Sequence, residues 1–266
     1  MQNNSLQQEV VWLLNEKYGG CLTDKAKKDI TLLEKGVLVD YVIGYKKFLD
    51  CKIDLREKPL IPREETEFWT KQLIKNFQGM DPCKFVRKHP LRVLDMFAGS
   101  GCCGIAVLKN VPNSYCDFVD IDDNCLKQIR FNLKLNNIDK KRYKVIKSDV
   151  FKKLSVSDTD SKLSEGYDAM LANPPYIGLG EKKKVQKSVL NFEPKKALFA
   201  KNNGLYFIEQ FLKQAKKYLL QDGVIYLEFG YNQKKDIEKL LKKFDYNSFQ
   251  FNKDQFNKWR FLEIKN

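Results

Sequence analysis

Six consecutive residues, Leu171-Ala172-Asn173-Pro174-Pro175-Tyr176, close an apolar run that begins at Tyr167. A strand that meets two prolines stops abruptly, because neither ring can donate to a sheet ladder and each restrains the residue before it. At the stop stand a carboxamide, two rigid rings and an aromatic: Asn173, Pro174, Pro175 and Tyr176. The Asn173 amide oxygen and the Pro174 carbonyl can accept hydrogen bonds from a planar –NH2 group, such as that of adenine, cytosine or a glutamine side chain. Pro175 and Tyr176 would pack against the group so held. Ligands of open α/β sheets bind at the carboxyl ends of strands, where this tetrapeptide falls. Taken alone, the four residues could equally just end a strand, with Asn173 capping the turn and Tyr176 filling core.

A second motif lies upstream. Leu91 to Met96 reads as a buried strand carrying Asp95, followed by the small loop Phe97-Ala98-Gly99-Ser100-Gly101 and a helix from about Cys102 to Lys109. Gly99 and Gly101 let the backbone come close to a ligand. The next strand, Tyr115 to Ile121, brings Asp120 to its end, where a carboxylate can take both hydroxyls of a ribose. A third, Tyr143 to Ser148, ends at Asp149-Val150: an acid for the exocyclic amine of adenine and an apolar side chain for its face. Phe97 occupies the first glycine position of the dinucleotide fingerprint, which argues against a pyrophosphate on the helix N-terminus. Asp95 followed by Ala-Gly-Ser-Gly suits a nucleoside bearing an amino acid, and so S-adenosylmethionine. Asp95 would anchor the methionine end or the loop, with a structural cap as its alternative.

These residues need a scaffold. From Leu91 the pattern is strand, helix, strand, helix, strand, with a helix from Asp122 or Asp123 to about Asn136. It continues with a polar loop at 155–166, a helix from Gly204 to Leu220, a strand from Gly223 to Phe229 and a helix from Asn232 to Phe244. Closing strands follow at Phe249–Phe251 and Trp259–Ile264. Such alternation predicts an α/β fold with a doubly wound, mostly parallel sheet. Ahead of it, Leu6 to Tyr18 has apolar residues at helical spacing and stops at Gly19-Gly20, and Asp24 to Lys35 forms a second helix capped by Thr23 or Asp24. Residues 1–40 thus read as a small helical region, 41–62 as a β-hairpin connector and 63–266 as the main domain. Pro62 opens the main domain's first helix, with Glu64, Glu65 and Glu67 in its first turn.

Composition narrows the classes. The 266 residues suffice for one α/β domain and a small appendage. The net charge of +14 favours an anionic partner, although lysine and asparagine abound along the whole chain. Lys182-Lys183-Lys184 and Lys187, just after Asn-Pro-Pro-Tyr, read as solvated surface or as a partner contact. Seven scattered cysteines form no Cys-x-x-Cys pair, and His89 is the only histidine, so a zinc site and histidine-dependent nucleophilic catalysis are not expected. Reduced intracellular thiols are expected instead. No apolar run reaches membrane-spanning length, and no secretory or transit signal is recognisable in 1–20, which has Glu9 and Glu16 and no arginine.

With these motifs in place, the sequence resembles the HemK-type release-factor glutamine methyltransferases, class I enzymes that use S-adenosylmethionine. Beyond the glycine loop and Asn-Pro-Pro-Tyr, the resemblance rests on Tyr41-Val42-Ile43-Gly44 through Phe48, on Ile61-Pro62-Arg63-Glu64-Glu65-Thr66-Glu67, and on Phe192-Glu193-Pro194 with Ala197-Leu198. It runs from about Tyr41 to the C-terminus. The sequence departs from the family at Phe97, at Glu64 where proline is frequent, and at Ala200 to Gly204, which lacks paired glycines. The resemblance implies a seven-stranded sheet closed by an antiparallel hairpin. It also implies methyl transfer from S-adenosylmethionine to the glutamine of a release factor's Gly-Gly-Gln loop, with Asn173, Pro174, Pro175 and Tyr176 as the catalytic motif. Asp95, Phe97 to Gly101, Asp120, Asp149 and Val150 would hold the cofactor, joined by Asn173. Residues 1–40 would recognise the substrate, by a monomer away from membranes, with ribosome or RNA nearby. Lys187 to Pro194 resembles fungal mitochondrial members, so a mitochondrial location is expected, with the cytoplasm as alternative. Two other functions compete: an adenine or cytosine methyltransferase of nucleic acid, and a non-catalytic ribosome- or nucleic-acid-associated protein.

Overall fold

The computed structural model describes residues 2–79, 90–154 and 166–266. Cys83, His89 and nearly all of the expected polar loop at 155–166 lie outside the described residues.

Three helices come first: α1 (Gln2–Tyr18), α2 (Asp24–Glu34) and α3 (Val39–Ile43). Thr23 caps α2 by accepting from the Ala26 amide at 3.1 Å. Leu13, Leu33, Val39, Val42 and Ile43 form a small core of their own. That core carries the helical region past the expected boundary at residue 40. Tyr41 is helical, and the hairpin expected from Tyr41 begins at Tyr45, after Gly44 reverses the chain at φ 94°. The hairpin is β1 (Tyr45–Phe48) with β2 (Cys51–Asp54), and α4 (Glu64–Gln78) follows.

Next come β3 (Leu91–Met96), α5 (Cys102–Asn110), β4 (Ser114–Asp120), α6 (Asp123–Leu135), β5 (Tyr143–Lys147) and β6 (Tyr167–Ala172). Short pieces then form a cap: β7 (Ile177–Gly178), α7 (Lys187–Phe192), α8 (Lys195–Leu198) and β8 (Phe199–Ala200), with Lys182 to Lys184 exposed in a 3-10 turn. The chain ends with α9 (Tyr206–Ala215), β9 (Leu219–Glu228), α10 (Lys234–Lys243), β10 (Ser248–Lys253) and β11 (Trp259–Lys265).

Seven strands make one sheet, in the order β10-β11-β9-β6-β3-β4-β5. β3, β4, β5, β6 and β9 run parallel, and β11 is antiparallel to both β9 and β10, as the family resemblance implied. β6 is buried on both faces, which explains its unbroken apolar run. The chain winds outward from β3 to β5, then crosses back to β6 on the other side of β3. Strand order therefore reverses between β3 and β6, and a crevice opens at their carboxyl ends.

The hairpin is fastened to α6 by side-chain amides. Asn136 Oδ1 accepts from the Lys52 amide at 3.1 Å and its Nδ2 donates to the Lys52 carbonyl at 2.9 Å. Asn132 does the same at Asp54, at 2.9 and 3.2 Å, and Gln128 Oε1 accepts from the Glu57 amide at 2.8 Å. Polar groups of the hairpin's edge are thus paired by residues four apart on one helix face.

Packing between α5 and β4 leaves no room at Gly104. A Cβ there would stand 2.4 Å from the Phe118 ring and 2.7 Å from Cys116 Sγ. Gly104→Ala is expected to lower the unfolding free energy by about 1–3 kcal/mol, because overpacking outweighs the better helix propensity. Gly180→Ala, whose Cβ meets nothing within 4 Å, should stay within about 0.5 kcal/mol of the parent. Urea denaturation of the two variants checks both values.

Candidate active site

A cavity of about 510 Å³ opens at the reversal point between β3 and β6. Asp95, Phe97, Ala98, Gly99, Ser100, Asp120, Asp149, Val150, Asn173 and Pro175 all line it. The structure thus brings together ten of the thirteen residues expected from sequence. Gly101, Pro174 and Tyr176 are not in the wall. Gly101 caps α5 at φ 79°, with Ile105 and Ile129 behind it. Pro174 is buried, as is its neighbour Pro175 in the wall. Tyr176 turns beneath the motif, where its hydroxyl donates to Glu228 Oε1 at 3.1 Å and takes a long 3.5 Å contact from Arg260 Nη1. Through these bonds it supports the motif.

Each acid has a local reason for its position. Asp120 closes β4; its Oδ2 accepts from the Gly99 amide and its Oδ1 from the Asp122 amide, both at 2.9 Å. That pair shapes the glycine loop and keeps the carboxylate at the cavity. Burial raises its pKa, against the pull of those amides. Asp95 is buried and receives one hydrogen bond among the described residues, from the Gly104 amide at 2.9 Å. Burial pushes Asp95 up to about 8. Burial also works against Asp122, but hydrogen bonds from Lys196 and the Asn124 amide outweigh it and hold that carboxyl below its usual range.

Two non-glycine residues of the wall have left-handed backbone: Phe97 at φ 59° and Val150 at φ 51°. For the β-branched Val150 this is a marked outlier, and such strain costs about 1–3 kcal/mol and persists where surrounding structure imposes it. Phe97 adopts the conformation that a glycine takes without cost. Its ring is held by Phe207 and Phe211 at centroid distances of 5.8 and 6.5 Å.

Several wall residues went unanticipated. Arg63 caps α4 and Thr66 stands in its first turn, Lys196 comes from α8, and Tyr206 and Phe207 from α9. The buried Glu193 accepts from the Ile61 amide at 3.0 Å and pairs with Arg63, which brings residues 60–63 over the cavity. Lys196 pairs with Asp122 across the mouth. Glu228, 1% exposed at the end of β9, sits behind the wall. An acid closing an apolar strand is the same signal that singled out Asp95 and Asp120, and it could have flagged Glu228. Among the described residues no cluster of three His, Cys, Asp or Glu side chains could hold a metal ion, and no helix is long and apolar enough to cross a membrane.

The donor set can be tested against a ligand. Four carboxylates, Asp95, Asp120, Asp122 and Asp149, face two basic side chains in the wall. That excess repels a phosphate and favours a cation, above all beside Asp95, whose one amide partner does not balance a buried charge. A nucleoside joined to a cationic amino acid fits these residues.

Comparison with known proteins agrees. A family model described as methyltransferase small domain matches residues 70–197. A release factor glutamine methyltransferase of Lactococcus lactis is 31% identical over 235 residues, 87% of this chain and 78% of that protein. One of Flavobacterium psychrophilum is 30% identical over 211 residues, 79% of this chain and 69% of that protein. The chain belongs to the release factor glutamine methyltransferases. The human methyltransferase 10 domain containing protein shares its fold, with a TM-score of 0.57 at 16% identity, covering 91% of this chain and 96% of that one. The cofactor of this methyltransferase is S-adenosylmethionine, and Asp95, the loop from Phe97 to Ser100, Asp120 and Asp149-Val150 are the residues that would hold it.

Two expectations follow for the methyltransferase. An acid whose folded pKa is raised adds stability that is present below its unfolded value and lost as pH rises through the folded one. For Asp95 that window runs from the ordinary 3.8 to about 8. Asp95→Asn should therefore gain on the ligand-free parent as pH rises from about 5 to about 9, read from denaturation midpoints. Asp120→Ala should weaken S-adenosylhomocysteine binding about 10–100-fold by calorimetry, the loss of hydrogen bonds to a charged acceptor; an unchanged affinity would remove Asp120 from the ribose site.

Proposed function

We propose that this methyltransferase transfers a methyl group from S-adenosylmethionine to the side-chain amide nitrogen of the glutamine in a peptide chain release factor's Gly-Gly-Gln motif. One observation carries the reading: Asn173 and Pro175 share a single cavity with Asp95, Asp120 and Asp149. An acceptor for –NH2 and a site for the cofactor thus open into one volume.

When bound, S-adenosylmethionine supplies an electrophilic methyl group on a sulfonium. The protein's part is positioning, since in-line displacement needs nucleophile, carbon and leaving sulfur close to collinear. A carboxamide nitrogen is a poor nucleophile because its lone pair is delocalised. The Asn173 oxygen and the Pro174 carbonyl accept its two N–H bonds and favour the positive charge that develops there. The rigid Pro175 ring restricts how the amide can sit. Residues 60–63, held by Glu193, and the Asp122–Lys196 pair narrow the opening and limit water. Recognition of the release factor by the N-terminal helices, action as a monomer, and a mitochondrial location are parts of the same proposal. Substrate capture without α1 to α3, sedimentation, and cell fractionation test them in turn.

Incubation with labelled S-adenosylmethionine, a release factor and mixed nucleic acid tests the main reading. Label on the factor, lost when its glutamine is replaced, is expected; label on nucleic acid instead would favour the amino-methyltransferase alternative that the +14 charge suggests. Asn173→Ala should cut turnover by about 100-fold or more while S-adenosylhomocysteine binding survives. Near-normal turnover would remove Asn173 from the acceptor role.

A further inference from the structure

An asparagine side chain has a donor end and an acceptor end, and only the oxygen can hold a substrate –NH2. The structure contains a device that decides which end of Asn173 meets the cavity. Asn173 Nδ2 donates to Thr66 Oγ1 at 3.1 Å. Thr66 has a single hydroxyl proton, and it goes to Glu228 Oε2 at 2.6 Å. The lone pairs of Thr66 therefore face Asn173, which must answer with its NH2. The polarity is locked one step further back. The indole N–H of Trp69, which can only donate, also points at Glu228 Oε2, at 2.9 Å. Whatever stands there must be an acceptor. On the other oxygen Glu228 takes the Tyr176 hydroxyl at 3.1 Å. Every link runs the same way while Glu228 is ionised, because a Thr66 proton turned to Asn173 would leave two acceptor oxygens facing each other at 2.6 Å. Asn173 Oδ1 is left with no hydrogen-bond partner among the described groups, on a residue of the cavity wall that Thr66 shares.

We propose that the Trp69–Glu228–Thr66 relay is a specificity device. It holds Asn173 Oδ1 toward the substrate, so that the site admits a carboxamide and rejects the isosteric carboxylate. A glutamate in place of glutamine would bring oxygen against oxygen with no proton between them, while the amide of Asn173 could not turn to offer its NH2. Sites built to hydrogen-bond one group discriminate strongly against an analogue that cannot make the bond. Thr66 and Glu228 are positioning residues, acting through Asn173. The proposal rests on the reading of Asn173 as the substrate's acceptor.

The test compares binding of a release factor carrying Gly-Gly-Gln with its Gln→Glu version, by the full chain in the presence of S-adenosylhomocysteine, alongside turnover on the former. The parent should prefer glutamine by about 100-fold or more. Thr66→Val removes the hydroxyl at nearly constant shape and frees the amide to rotate. The preference should fall below about tenfold and kcat should drop about 10–100-fold, with S-adenosylhomocysteine affinity unchanged; Thr66→Ser should restore both. Glu228→Gln should keep the preference, because Trp69 draws the oxygen of the new amide to the same place. Full preference in Thr66→Val, or its loss in a Glu228→Gln protein that still binds S-adenosylhomocysteine, overturns the relay. A parent with no preference at all overturns the acceptor reading beneath it.

Discussion

A carboxylate buried as deeply as Glu228 must be answered on both oxygens, and much of the molecule is arranged around that requirement. Burial raises its pKa, and the hydrogen bonds from Thr66, Trp69 and Tyr176 oppose the rise. Those donors come from α4 and from the turn after β6, while Glu228 ends β9. Arg260 of β11 stands beside Tyr176 and is itself held by Asp254 at 3.0 Å. One buried charge therefore ties the first helix of the main domain to the Asn-Pro-Pro-Tyr turn and to the closing hairpin. The turn is fixed from a second side by Gln233, whose Nε2 donates to the Tyr176 carbonyl at 2.8 Å and to the Asn203 carbonyl at 3.0 Å. Gly204 completes the contact: a Cβ there would stand 1.9 Å from the Tyr176 oxygen.

Much of the fold was legible because strand and loop signals coincide in the sequence. The apolar runs at Leu91 and Tyr167 ended where the strands end, within a residue or two. The acids Asp95, Asp120 and Asp149 marked the cavity because an acid after an apolar run is placed at a strand's carboxyl end. What could not be read is pairing at long range. Thr66 lies 107 residues from Asn173 and 162 from Glu228, so no local pattern announces that they share a proton chain. The bond from Tyr176 to Glu228, 52 residues on, was hidden for the same reason. The hairpin boundary slipped because α3 is held by its contacts with Leu13 and Leu33 rather than by its own propensity.

The cavity combines strain with sign. Phe97 and Val150 keep left-handed backbone although their side chains disfavour it, and both lie in loops whose course the ligand must follow. Neither would adopt that conformation in an isolated peptide, so the sheet and the aromatic cluster around Phe211 impose it. The acids of the floor oppose the basic character of the whole chain, which keeps the interior selective for a cation while the outside attracts anions. Two thiols at the cavity do not enter this balance as charges: hydrogen bonding to Cys102 and burial push the Cys103 thiol far up, and burial does the same for Cys125.

The amide rungs between α6 and the hairpin work as a vernier scale. Four residues of helix advance about 6.0 Å, and two residues of strand about 6.6–6.8 Å. Two neighbouring rungs, Asn136 on Lys52 and Asn132 on Asp54, can therefore both align. A third in step would miss by more than an ångström; Gln128 instead meets Glu57, three residues on from Asp54, where the strand has ended and its pitch no longer applies. Two scales of unequal pitch coincide at one setting only. A hairpin slipped by a single residue would turn its paired edge away from the amides, and one slipped by two would forfeit a rung. The register of β2 is thereby graduated against α6, and with it the point at which residues 60–63 arrive above the cavity. The same Asn132 also donates to the Ser100 carbonyl at 3.0 Å, so roof and floor are measured from a single mark.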